Sequence, residues 1–135
     1  MSGLGQTGAP VLKPLTIRKQ NPVVLIIAPH PDDECLMGGY ALRLKLEANA
    51  TVHVVPYSLG SKPERQKERD QELNHAIHKL AFERVGGVAS NATQLLSIFK
   101  RLQPDYIFSP HANDGHATHI HAHNSCSEAI QNYEM

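Results

Sequence analysis

The chain has 135 residues, with 13 Lys and Arg set against 13 Asp and Glu, and 41% of its residues are hydrophobic. This length suits one core rather than two, the zero formal net charge offers nothing to a phosphate backbone, and no apolar run approaches the roughly 18 residues of a membrane-spanning helix. Neither a nucleic acid partner nor a membrane span is therefore expected.

Cys35 and Cys126 form no CxxC pair, which leaves no disulfide framework and no thiolate zinc knuckle, so a reducing, cytoplasmic setting is expected. Histidine is the anomaly of composition. Of nine in the chain, His111, His116, His119, His121 and His123 fall within 13 residues, where even spacing would put about one.

Residues 1–22 are rich in Gly and Pro and carry their basic residues only after position 12. They resemble no secretory leader, and Ser2 excludes myristoylation. A loosely ordered lead is expected over 1–22, and a single domain over 23–135.

Val23 to Ala28 is an unbroken aliphatic run between Pro22 and Pro29, the pattern of a central parallel strand buried on both faces. Leu36, Met37, Tyr40, Ala41, Leu44 and Ala48 then recur at helical spacing and predict a helix of about three turns, with Gly38 and Gly39 leaving room for close approach to the sheet. Thr51 to Pro56 reads as a second strand, which completes a βαβ unit. Over 62–84, a charged stretch leads into Leu73, Ala76, Ile77, Leu80 and Ala81 at 3.6 spacing, predicting a helix with a solvated charged face. Leu95, Leu96, Ile98, Phe99 and Leu102 predict another helix, ended by Pro104, and Asp105 to Ser109 the last clear strand. The stretch from Phe82 to Asn91 looks too short for a further strand. The fold class is thus α/β with a parallel sheet.

Two polar clusters follow strands directly: Pro29-His30-Pro31-Asp32-Asp33-Glu34 after the first and Pro110 to His123 after the last. In an open α/β sheet, ligands bind beyond strand C-terminal ends where neighbouring strands send their connections to opposite faces. If these two strands are neighbours, the clusters face each other. One His and two carboxylates on one loop, with further imidazoles on the other, are nitrogen and oxygen donors suited to zinc. Three ligands plus a water, with an unligated carboxylate or imidazole to take the water's proton, make a metal-assisted hydrolase. A turn with capping carboxylates accounts for Glu34 but leaves His30 unexplained.

Ala28 to Glu34 resembles the A-H-P-D-D-E signature of the PIG-L/LmbE-like zinc N-deacetylases, with Pro29 inserted between Ala and His. Gly115-His116-Ala117-Thr118-His119 is similar to that family's H-x-x-H element, Arg69 to Leu73 to its R-x-x-E-L helix start, and Pro104 to His111 to its P-D-x-I-F-x-P-H strand. The resemblance runs from about Val23 to Ala129. It implies a Rossmann-like three-layer sandwich, here C-terminally incomplete, and zinc held by His30, Asp33 and His119. It further implies Asp32 as general base, His116 as the histidine that polarises the amide or protonates the leaving amine, and Arg69 as a substrate contact. The implied reaction removes acetyl from an N-acetylglucosamine-type conjugate. Thr118 stands where many members carry Asp, so a carboxylate that orients the histidines is expected elsewhere, with Asp114 the candidate.

With a helix starting near Thr118, His119, Ala122, Cys126 and Ile130 share one face. Spacing therefore favours His119 over His123, one turn on, as the ligand, and turns His121 elsewhere. His53, His75 and His78 are expected to be structural or solvent-facing, Cys35 and Cys126 to be small core residues, and His111 to line a pocket or serve as an ordinary loop residue.

Two other functions compete. One is an inactive zinc-binding remnant without a full substrate pocket. The other is a receiver-type module, which needs a third strand ending in Asp and a later strand end bearing Lys; the sequence shows neither. A sheet border left at the last strand also predicts self-association.

Overall fold

The computed structural model describes residues 20–29, 34–60, 62–109 and 117–134, with the side chains at 34–40, 117 and 119 outside the description. Within these, β1 (Val23–Ala28), α1 (Glu34–Ala48), β2 (Thr51–Pro56), α2 (Pro63–Lys79), β3 (Glu83–Arg84), α3 (Ala92–Leu102), β4 (Tyr106–Phe108) and α4 (Ala117–Glu134) follow in order. The strands form one parallel sheet in the order β3-β2-β1-β4. The first strand is therefore central, and it lies beside the last.

Alternation along β1 builds two cores, because successive side chains of a strand point to opposite faces. Val24, Ile26 and Ala28 share one cluster with Val52 and Val54 of β2, Ala41 and Leu44 of α1, and Leu73 and Ile77 of α2. Leu25 and Ile27 meet Leu95 and Phe99 of α3, and Ala122, Cys126 and Ala129 of α4. This gives helix, sheet and helix layers, with α1 and α2 on one face and α3 and α4 on the other. The Phe99 and Tyr133 rings close the second core edge to face at 5.9 Å.

Local chemistry sets the boundaries. Pro63 opens α2, where a missing N–H costs nothing. Asn91 caps α3 by accepting from the Gln94 N–H at 2.9 Å, and Gln103 in the left-handed region ends it, just before Pro104. Asn91 also begins an Asn-Ala-Thr sequon, and the cap supplies a structural reason for that asparagine. Asp105 fastens β4 to β1: its N–H donates to Val23 O at 2.7 Å, and its carboxylate accepts from Val23 N at 2.8 Å.

Two expectations need correction. The stretch after Phe82 does contain a strand. β3 has only two residues, neither β-branched, and exists because it pairs with His53 and Val54 of β2. Buried Phe82 and Val85 flank it, the Val85 N–H donates to Val54 O at 2.9 Å, and Arg84 reaches Asp70 of α2 at 2.7 Å. The first helix also begins at Glu34, straight after the acidic loop, and its 15 residues make about four turns rather than three. The expected roles of Gly38, Gly39 and Cys35 fall on side chains outside the description.

Candidate functional site

The C-terminal edge of the sheet is where the chemistry gathers. β1 hands the chain to α1 on one face of the sheet, and β4 hands it to α4 on the other. The two strands are paired directly, Ile26 beside Phe108, so the gap between them is the crevice that this sheet type offers to a ligand. β1 ends there at Ala28 and β4 at Phe108.

His30, Asp32, Asp33 and His116 lie outside the described residues, as do His111 and Asp114. His119 sits in the first turn of α4, with its side chain outside the description. Ala122 and Cys126, which share its predicted face, are buried against the sheet. His123 is half-buried. Among the described residues no three His, Cys, Asp or Glu side chains gather to hold a metal. Cys126 is the small core residue expected: burial pushes its thiol up, and a hydrogen bond with Ser109, just beyond β4, offsets part of that rise. His53 is half-buried in β2, while His75 and His78 are exposed on α2.

Beside the crevice, over the end of β2, opens a cavity of about 670 Å³ lined by Tyr57, Leu59, Gln66, Val88, Thr118 and His121 among others. It adjoins the end of β1, because the Tyr57 N–H donates to the carbonyl of Ala28 at 2.7 Å. It adjoins the first turn of α4 as well, through Thr118. The turn that forms its floor needs Gly60, whose φ of +96° side chains rarely adopt and whose Cα faces the Arg69 stem at 3.4 Å from where a Cβ would sit. Arg69 of α2 is half-buried, its stem beside Gly60 at the cavity's margin.

Sequence reasoning missed Tyr57 and His121. His121 does turn away from the buried face of α4, as expected, and it turns into this cavity, where Nδ1 is hydrogen-bonded to the Tyr57 hydroxyl. The same hydroxyl meets Ser125 Oγ at 2.8 Å. A signal was present: Tyr57 and Ser58 also follow a strand's C-terminal end directly, and the rule applied to the first and last strands covers the second.

A family model described as PIG-L: GlcNAc-PI de-N-acetylase matches residues 25–130. Among solved structures, the conserved protein TT1542 from Thermus thermophilus is 27% identical with a TM-score of 0.64, over 80% of this chain and 55% of that one. A deacetylase of teicoplanin biosynthesis is 16% identical with a TM-score of 0.69, over 84% and 64%. GalB, the 4-carboxy-2-hydroxymuconate hydratase of Pseudomonas putida KT2440, is 19% identical with a TM-score of 0.68, over 84% and 59%. The chain therefore spans between 55% and 64% of the length of these three proteins. Among proteins of curated function none matches it in sequence.

Proposed function

We propose, because the chain belongs to the PIG-L family of GlcNAc-PI de-N-acetylases, that it is a zinc-dependent amide hydrolase that removes acetyl from an N-acetylglucosamine-type conjugate. The observation that carries the reading is the pairing of β1 with β4, which starts the acidic loop and the histidine segment from adjacent strand ends. Family membership, rather than the fold, selects the reaction, since the fold is shared with a hydratase.

His30, Asp33 and His119 would hold the metal: two imidazoles and one carboxylate are a donor set that catalytic zinc accepts, with one position left open. Bound zinc would supply Lewis acidity at the amide carbonyl. Asp32 takes a proton from the attacking water, and His116 gives one to the leaving nitrogen, so that water is added across the C–N bond and acetate and a free amine result. Arg69, at the margin of the cavity, is a substrate contact. The substrate is a small N-acetylated amino sugar conjugate met in the cytoplasm. No helix of the described residues is long and apolar enough to cross a membrane. Self-association is expected as well, since β4 is paired on one side only among the described residues.

A second reading is zinc binding without turnover. One preparation separates the two, through metal content, acetate release from N-acetylated amino sugars, and sedimentation. One zinc per chain is expected, lost in His30→Ala, Asp33→Ala and His119→Ala. Asp32→Asn is expected to keep zinc and lose about 10²- to 10⁴-fold of turnover. Full zinc in His119→Ala with loss in His123→Ala would overturn the ligand set, and acetate-free but zinc-loaded protein would favour the second reading.

A further inference from the structure

The cavity over β2 has no Lys, Arg, Asp or Glu among its described lining residues. Its walls alternate apolar surface from Tyr57, Leu59 and Val88 with the polar groups of Gln66, Thr118 and His121. Apart from Arg69 at its margin, such a lining carries no fixed charge, and it suits an uncharged ring with one apolar face and a hydroxylated rim. The best-held polar group in it is His121. Tyr57 is 4% exposed, yet its hydroxyl is paired twice, with His121 Nδ1 and with Ser125 Oγ. Two elements 64 residues apart thereby fix an imidazole that is otherwise exposed.

We infer that His121 is a specificity-determining residue of this protein, whose Nε2 hydrogen-bonds a hydroxyl of an uncharged sugar ring seated in the cavity, with Tyr57 and Ser125 as positioning residues. The bond at Nδ1 leaves Nε2 as the ring nitrogen for a ligand. Nε2 is a donor if the Tyr57 hydroxyl gives its proton to Nδ1, and an acceptor if it does not. A hydroxyl meets either case, because it both donates and accepts. The cavity's position agrees, since Thr118 in its wall immediately precedes His119, and Tyr57 is bonded to Ala28, two residues before His30. A ring in the cavity therefore lies beside the end of β1 and the first turn of α4. The inference rests on the proposed function for its substrate class.

The test uses the full chain and methyl N-acetylglucosaminide. In His121→Ala the loss is expected in KM, about three- to ten-fold for one neutral hydrogen bond, with a much smaller change in kcat. Tyr57→Phe, which keeps the ring and frees the imidazole, is expected to show a smaller KM effect of the same kind, and His121→Gln to recover part of the loss. Because His121 is exposed, its replacement should leave the melting temperature nearly unchanged, which separates ligand contact from support of the fold. Binding is read independently by NMR: sugar addition should move the His121 ring resonances in wild type. If no acetate is released the deacetylase reading fails, while the resonance shift still reports on His121. Unmoved His121 resonances at saturating sugar, or an unchanged KM in His121→Ala, would overturn the inference.

Discussion

Phe99→Ala probes the link between packing and site. Phe99 is fully buried in α3, lies in the core formed by β1, α3 and α4, and meets Tyr133 edge to face. Truncating a buried Phe to Ala costs about 3 to 5 kcal/mol, from lost transfer energy and the cavity left behind. Part of that, about 0.5 to 1.5 kcal/mol, is the aromatic pairing itself. A domain of this size has about 5 to 15 kcal/mol in all, so the variant should fold with a melting point lowered by roughly 10 to 20 °C. Since α4 rests on this core and carries His119 and His121, the same variant should bind both metal and sugar more weakly at temperatures where it is still folded. Urea titration followed by circular dichroism measures the loss, with Leu46→Ala as the control: Leu46 is 75% exposed, and its change should stay within about 0.5 kcal/mol. A Phe99→Ala loss under about 1 kcal/mol would show that α3 and α4 do not pack as described.

Asn91→Ala removes the cap of α3 and should cost about 1 kcal/mol in the same titration, with Asn91→Asp restoring most of it. His53 reports on pH. Burial in β2 holds its imidazole below the ordinary value of 6.5, Glu83 opposing and Arg101 assisting, so the unfolded chain takes up this proton more readily than the folded one. Its neutral form is fully accommodated above pH 6.5, and stability is lost as the pH falls from there through the lowered folded value. His53→Gln should therefore lose less stability than wild type on that descent, as read by urea midpoints at neutral and mildly acidic pH; an equal loss would refute the assignment.

The elements most legible in the sequence are those whose residues carry their own instructions. The run from Val23 to Ala28, aliphatic throughout and bounded by prolines, can only be a strand buried on both faces. Pro104 marks the end of α3 by chemistry that needs no distant partner. The two polar clusters are legible for the same reason, since each directly follows its strand. β3 is not legible: Glu83 and Arg84 have no strand preference, and only the hydrogen bonds offered by β2 and the ion pair with Asp70 make them one.

The pairing of Tyr57 with His121 is equally hidden, because neither residue has a pattern that names the other. By itself, then, the sequence determined the α/β alternation, the presence of the main helices and strands, and the residue types placed at strand ends, because these depend on near neighbours along the chain. The order β3-β2-β1-β4, the adjacency of the ends of β1 and β4, and the cavity in which an imidazole of α4 meets a tyrosine at the end of β2 were decided only by tertiary structure. Those features depend on which hydrophobic faces bury one another, a choice made among residues far apart in the chain.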